Sequence, residues 1–199
     1  LRARWGDMRV GLLMFGARMV VRRLAQHTGG ERNWRPNLLV LAGAPTRRWH
    51  LIEMADAISR NRSLVTVASI IPESTWTAER AENLRLSIRG YLEKQGVEAQ
   101  VRIQPGEDHW SGIRELVRAY GYGPLTPNTV LIGVSDKPDT LLPFARLVRL
   151  VAHTRRNLII VRETADESAA AAGPRIDIWW RGLTPNVAFM LALACMVKR

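Results

Sequence analysis

The sequence predicts an α/β fold in which helices cover both faces of a doubly wound, mostly parallel sheet. Short apolar runs that suit buried strands, such as Leu38–Ala42 and Thr129–Gly133, alternate with amphipathic segments of helical length. Strands joined by helix-length crossovers pair in parallel, with right-handed connections. A chain of 199 residues, 47% of them hydrophobic, is long enough to bury such a sheet as one domain.

The α/β pattern starts after a basic helix and a linker. Residues Asp7–Leu24 place apolar side chains on one side and arginines around them, which predicts an amphipathic helix that docks on a surface. Two glycines end this helix, and the linker extends to Pro36. We therefore divide the chain into residues 1–36, helix and linker, and residues 37–199, the α/β domain.

Six strands are predicted within the α/β domain. In chain order they are Leu38–Ala42, Leu64–Ile71, Val97–Ile103, Thr129–Gly133, Leu158–Val161 and Ile176–Trp180. The third alternates apolar and polar residues, which is typical of a strand near a sheet edge.

Five helices are predicted between and after these strands. The first extends to about Arg60, the next two carry the apolar faces Ala81–Leu92 and Trp110–Tyr120, and the last two are roughly Thr140–Arg155 and Thr184–Lys198.

The ends of two helices carry recognisable signals. Ser74 or Thr75 is expected to cap the helix that Gly96 closes. The cluster Glu107–His109 has the residue types of a metal or acid/base site, but consecutive residues on a helix point in different directions. Its carboxylates suit the positive first turn of the next helix, and that interpretation is preferred.

The charge of the chain is basic and uneven. It holds 29 basic and 18 acidic residues, a net charge of +11, and residues 1–35 contribute eight arginines against two acids. Such a basic segment can bind phosphate groups, either of nucleic acid or of anionic lipid. The alternative is a leader segment whose arginines are simply solvated. No nucleic-acid motif accompanies it, so a nucleic-acid partner is not expected.

The cysteine content and the lengths of the apolar runs limit the classes of protein to which the chain can belong. The single cysteine, Cys195, excludes an internal disulfide and is expected to be a small buried hydrophobic residue. No apolar stretch reaches the roughly 18 to 20 residues of a spanning helix. The chain begins at Leu1 without an initiator methionine, and we expect it to be part of something longer.

No catalytic motif emerges from the sequence. The turn Gly43–Thr46 lacks both the dinucleotide fingerprint and a phosphate loop, and the serines lack a nucleophile elbow. The four histidines form no metal motif. We therefore predict a protein that is not an enzyme and that holds no metal.

Four segments, in order, resemble one family. They are Asn33–Pro36 running into the first strand, Trp5–Asp7 before it, Tyr120–Gly123 followed by Asn128–Gly133, and Ile176–Trp180 with its Asp-x-Trp-Trp pattern. Together they are similar to the cytoplasmic C-terminal domain of cation-chloride cotransporters, in a bacterial member. The resemblance covers nearly the whole chain.

The resemblance implies a function that is not catalytic. The family domain is similar to universal stress proteins and has two related α/β halves, of which residues 37–199 match the first. Such a domain regulates and dimerises a carrier that moves chloride with Na⁺ or K⁺. The implied partners are the carrier's own membrane domain, a second copy, and anionic lipid for the basic segment at the cytoplasmic face of the membrane. Trp179 and Trp180 are expected to pack in the core or between halves.

The alternative is an ATP-binding module. Some universal stress proteins bind ATP through glycines after the fourth strand, and Gly133-Val134-Ser135 retains only part of that pattern. Gly43, Gly133 and Ser135 flank the predicted switch point of the sheet, the place where the strand order reverses and ligands bind. They are therefore the candidate nucleotide-binding residues. We expect the protein to hold no cofactor. ATP is the one cofactor that the alternative interpretation would add.

Overall fold

The structure is a computed structural model. It describes residues 8–26, 34–134, 137–162, 176–179, 182 and 186–198. Two compact units divide the chain, Leu1–Trp34 with Gly121–Thr126 and Arg35–Tyr120 with Pro127–Arg199.

The smaller unit contains helix α1, Met8–Gln26, which contacts the short 3-10 turn Gly123–Leu125. None of the residues of α1 is buried, and Leu13 is 72% exposed. The predicted basic helix is confirmed from Met8 onward, while Asp7 lies outside the described residues.

The described residues of the larger unit form a five-stranded parallel sheet in the order β3-β2-β1-β4-β5. Its strands are β1 Leu38–Leu41, β2 Val65–Pro72, β3 Gln100–Gly106, β4 Thr129–Gly133 and β5 Asn157–Val161. Its helices are α2 Trp49–Ser59, α3 Ala78–Lys94, α4 His109–Ala119, α5 Leu141–His153 and α6 Asn186–Val197. The predicted doubly wound parallel α/β fold is confirmed.

Two cores pack on the opposite faces of the sheet. On one face Leu38 and Val40 of β1 pack with residues of α2 and α3, and on the other Leu39 and Leu41 pack with residues of α4 and α5. Every residue of β1 and β4 is buried. This two-sided burial explains why both strands are apolar without alternation.

The third strand begins later than predicted. Val97 was expected to open it, but the Val97 amide donates to the Leu92 carbonyl at 3.0 Å and so still belongs to the end of α3. Gly96, at φ +74°, makes this helix end, and pairing with β2 begins only at Gln100. The strand lies at a sheet edge, as its alternation predicted.

The predicted sixth strand is wrong for the residues the structure describes. Ile176–Trp179 has no strand conformation, and Trp180 lies outside the described residues. Apolar and aromatic residues favour a strand, but a strand also needs a hydrogen-bonded neighbour, and none of the described strands pairs with this segment. Trp179 is 84% exposed, so it does not pack in the core of this chain, and the other expectation, packing between two halves, stays a prediction.

Two smaller predictions also need correction. The side chain of Thr77 caps α3 by accepting from the Arg80 amide at 3.1 Å, whereas Ser74 and Thr75 lie in a preceding 3-10 turn. Cys195 is exposed rather than buried, because α6 is apolar around its whole circumference and not all of it can face α2.

Asn128 ties together the amino ends of three strands. Its Oδ1 accepts from the Asn37 amide at 2.9 Å, and its Nδ2 donates to the Arg35 carbonyl at 2.8 Å. Its own carbonyl accepts from the Asn157 amide at 2.8 Å. The chain entering β1 is therefore fixed to the starts of β4 and β5.

Candidate functional site

The candidate site lies at the carboxyl ends of β1 and β4. The strand order reverses there: β2 and β3 lie on one side of β1, whereas β4 and β5 lie on its other side. Ligands of open α/β sheets bind in the crevice that such a reversal leaves. Two cavities lie at this edge of the sheet, and both are lined in part by His109.

The first, which we call the basic cavity, has a volume of about 220 Å³. Its basic lining residues are Arg48, His109 and Lys137, and its apolar side chains are Leu41, Trp110, Ile113, Ile132 and Phe144. None of the described residues that line it is acidic. Leu41, Ile113 and Ile132 are buried, while the basic residues are half-buried or exposed, so apolar groups form the floor and basic groups surround the mouth.

Arg48 reaches the cavity from the start of α2. It immediately precedes the helix, and its amide donates to the Pro45 carbonyl at 3.3 Å, which closes the turn after β1. Gly133 lets α2 lie close to β4, because a Cβ at this position would come within 3.3 Å of the Leu51 side chain. The Leu51 side chain of α2 thus packs directly against the backbone at the end of β4.

His109 is the first residue of α4, which begins in a capping box. The Asp108 side chain accepts from the amides of Trp110 and Ser111 at 2.6 and 2.9 Å. The Ser111 hydroxyl in turn accepts from the Asp108 amide. The prediction that Glu107–His109 marks a helix start is therefore confirmed.

The electrostatics of the site act on His109. Desolvation first, and the positive charge of Arg48 second, lower the pKa of this imidazole, while the Asp108 carboxylate opposes both. A histidine with a pKa below its usual value is neutral at pH 7. His109 therefore supplies a neutral, hydrogen-bonding ring beside the two charged groups.

Lys137 enters the cavity from the connection between β4 and α5. It precedes a 3-10 turn, Pro138–Thr140, and the Thr140 hydroxyl donates to the Lys137 carbonyl at 2.6 Å. This bond fixes the backbone at Lys137, and Thr140 itself lines the cavity.

The second cavity is a groove of about 470 Å³ on the β2 side of the switch point. The turn Gly43–Thr46 forms one wall, and Leu84, Ile88 and Tyr91 of α3 form another. Its lining is mostly uncharged, so it differs in character from the basic cavity.

The predicted nucleotide residues do not share one cavity. Gly43 lines the groove and Gly133 lines the basic cavity, while Ser135 lies outside the described residues. Gly43 adopts φ +67°, a left-handed conformation that favours glycine. Its role and that of Gly133 in nucleotide binding stay predictions.

The backbone amides at these glycines are already used. The Gly43 amide donates to the Ala68 carbonyl at 3.3 Å, and its carbonyl accepts from the Ser69 hydroxyl. The Val134 amide, directly after Gly133, donates to the Val161 carbonyl at 3.0 Å. Phosphate loops bind through free amides, so the Gly43 and Val134 amides themselves do not serve as phosphate donors in this structure.

The sequence indicated the loops after β1 and β4 as the place for a site, and the basic cavity lies there. Sequence reasoning searched the turns after β1 and β4 for glycines and missed Arg48 and Lys137, which follow the same two strands. A basic residue after each strand that flanks a switch point was the available signal. Within the described part of the chain, no group of three or more histidine, cysteine or acidic residues is placed to hold a metal ion.

Comparison with known proteins gives one family. The model of solute carrier family 12 matches residues 48–140, just under half of the chain. The match confirms the resemblance to cation-chloride cotransporters. It begins at Arg48 and ends at Thr140, so it contains the basic residues of the cavity. No helix within the described ranges is long and apolar enough to cross a membrane.

Among solved structures, the chain is similar to a protein of the universal stress protein family from Burkholderia pseudomallei. The two are 11% identical, the likeness covers 67% of this chain and 98% of that one, and the TM-score is 0.41.

Proposed function

We propose that this chain is the cytoplasmic regulatory and assembly domain of a membrane carrier of the solute carrier 12 type, and that it has no catalytic activity of its own. The family match carries the proposal, because residues 48–140 extend from the start of α2 to the start of α5 and, apart from Gly121–Thr126, belong to the α/β unit. That segment contains three of the described strands of the sheet, β2 to β4, so the similarity concerns a large part of the folded α/β unit.

The proposed membrane-side partner of the smaller unit is an anionic lipid surface together with the carrier's own membrane domain. Helix α1 carries four arginines and no acidic residue, and its large apolar side chains are exposed. A helix with these properties suits a membrane interface, where each basic residue adds about 1 kcal/mol of attraction to acidic lipid. Co-sedimentation with phosphatidylglycerol vesicles, but not with phosphatidylcholine vesicles, checks this contact.

The proposed assembly is a homodimer. Strand β5 lies at an edge of the sheet and contains no charged residue, which suits pairing with a second chain. Sedimentation equilibrium of the 199-residue chain should give a concentration-dependent dimer.

The carrier assignment is tested on the complete protein encoded by the gene. We expect membrane-spanning segments in the same polypeptide, and ⁸⁶Rb⁺ uptake into proteoliposomes by the purified protein. Deleting residues 37–199 should change the rate of uptake or its regulation without abolishing membrane insertion. A gene product without spanning segments would contradict the proposal, as would a deletion that leaves uptake, regulation and oligomeric state unchanged.

A further inference from the structure

We infer that the basic cavity binds a small organic anion, a carboxylate carried on a short apolar body. The inference does not depend on the carrier function, because the cavity lies wholly within the α/β unit and its binding is measurable on this chain alone.

The charge of the cavity selects an anion. Arg48 approaches from α2 and Lys137 from the connection before α5, and no described acidic residue shares the lining with them. Two cationic groups from different elements converge on one half-enclosed space, where their attraction for an anion exceeds that in open water. The planar guanidinium of Arg48 matches the two oxygens of a carboxylate.

The floor of the cavity selects an organic body. Leu41, Ile113 and Ile132 are buried core residues, and the rings of Trp110 and Phe144 add aromatic surface. An inorganic anion has no apolar part to pack on these groups and gains only from the charges at the mouth. A hydrocarbon chain or a single aromatic ring gains by leaving water for the same surface.

The volume of the cavity limits the ligand. At about 220 Å³ it is smaller than the roughly 300–1,000 Å³ typical of pockets for drug-sized ligands. A nucleotide exceeds this space, and the amides of Gly43 and Val134 are already bonded within the protein. A ligand with one ring or a short chain fills the cavity with its charge at the mouth.

The ring of His109 completes the mouth. It lies edge-on to Trp110, with ring centroids 5.9 Å apart, and this contact orients it. Because its pKa is lowered, the neutral imidazole offers a hydrogen bond to a carboxylate without adding repulsion toward Arg48.

The test uses sodium benzoate as the probe on the complete 199-residue chain. Isothermal calorimetry and amide NMR should detect millimolar or tighter binding, with shifts at Gly133 and at the Trp110 indole. Benzamide has the same shape without the charge and should bind at least about tenfold more weakly, the cost of losing a charged hydrogen bond. Inorganic phosphate and ATP are the comparison ligands, and both should bind more weakly than benzoate.

Arg48→Gln and Arg47→Gln form a matched pair of variants. Arg47 is the adjacent exposed arginine and does not line the cavity. Arg48→Gln should weaken benzoate binding at least about tenfold, and Arg47→Gln should stay within about twofold of the parent. Arg48 makes no side-chain cap of α2, so the fold should survive; if it does not, Lys137→Gln serves the same comparison.

Several outcomes overturn the inference. They are the absence of benzoate binding at about 10 mM, equal binding of benzoate and benzamide, equal loss in the two arginine variants, and phosphate or ATP binding as tightly as benzoate. NMR shifts confined to residues away from the cavity overturn it as well.

Discussion

The two edges of the sheet are built differently. Strand β3 carries Arg102, which is exposed and donates to the Gln104 side chain at 3.0 Å. Strand β5 has no charged residue, and its Ile160 is 46% exposed. Charged residues on an edge strand discourage pairing with other chains. The β3 edge is therefore protected, while the β5 edge is suited to a partner.

The β3 edge is also anchored to the helix that follows it. A Cβ at Gly106 would lie 2.7 Å from the Gly112 Cα and 2.8 Å from the Asp108 carbonyl oxygen. The end of β3 and the first turn of α4 are thus in backbone contact. The difference teaches that the β3 edge is closed by charge and by backbone contact, while the β5 edge has the composition that the proposed dimer requires.

The largest effect is expected from Gly106→Ala. The atoms that a methyl group would meet are backbone atoms of α4, which cannot rotate away, so β3 and α4 must separate. We expect a loss of about 1–3 kcal/mol in the free energy of unfolding and a lower unfolding temperature, measured by circular dichroism.

Gly90→Ala is the control for this change. Gly90 lies within α3, and a Cβ there would meet nothing within 4 Å. Since alanine favours a helix more than glycine does, this variant should gain up to about 1 kcal/mol. If both variants shift stability in the same direction, the β3 edge is not locked as described.

An intermediate effect is expected from Ile160→Lys on the proposed dimer. The side chain is already half exposed, so the monomer should fold, while a charge on the β5 edge disfavours pairing. Sedimentation equilibrium should show a dimer dissociation constant raised at least about tenfold, equivalent to about 1.4 kcal/mol. Gln100→Lys adds the same charge to the exposed start of β3 and should leave the dimer unchanged. If Gln100→Lys weakened the dimer more than Ile160→Lys did, the interface would lie at the β3 edge instead.

The smallest effect is expected from Asp108→Ala, which removes the cap directly after β3. Bonds from the Ser111 amide and, secondarily, the Trp110 amide hold the pKa of the Asp108 carboxyl below its usual value. The stabilisation is therefore present above the ordinary aspartate pKa of about 3.9 and is lost as the pH falls through the lower folded-state pKa. Thermal unfolding at pH 7 should show a lower midpoint for the variant, and the difference should shrink in acid. Glu107→Ala, which removes a neighbouring charge but no cap, should have the smaller effect; equal effects would refute the capping role.

The sequence allowed the centre of the sheet to be predicted more accurately than its periphery. Thr129–Gly133 was predicted as a strand with the bounds it has, because burial on both faces requires an unbroken apolar run. The start of β3 was misplaced because apolar and polar residues already alternate through the end of the preceding helix. A core position for Trp179 and burial of Cys195 were predicted wrongly because an apolar residue does not reveal what covers it.

The candidate site was only half predictable. Parallel strand order implies a crevice after β1 and β4, so its location followed from the pattern of elements. Its composition did not, because Arg48, His109, Lys137 and the apolar floor come from different strands and helices that are distant along the chain. Only the packing of α4 and α5 against one face brings them to a single cavity.

The Asn128 bonds give the domain a mechanical property. The chain enters the sheet at its central strand, β1, and the amide, carbonyl and side chain of Asn128 fasten that entry to the starts of β4 and β5. Tension applied through Arg35 along β1 is therefore resisted in shear by the ladders to β2 and β4 together, and the load does not peel away an edge strand.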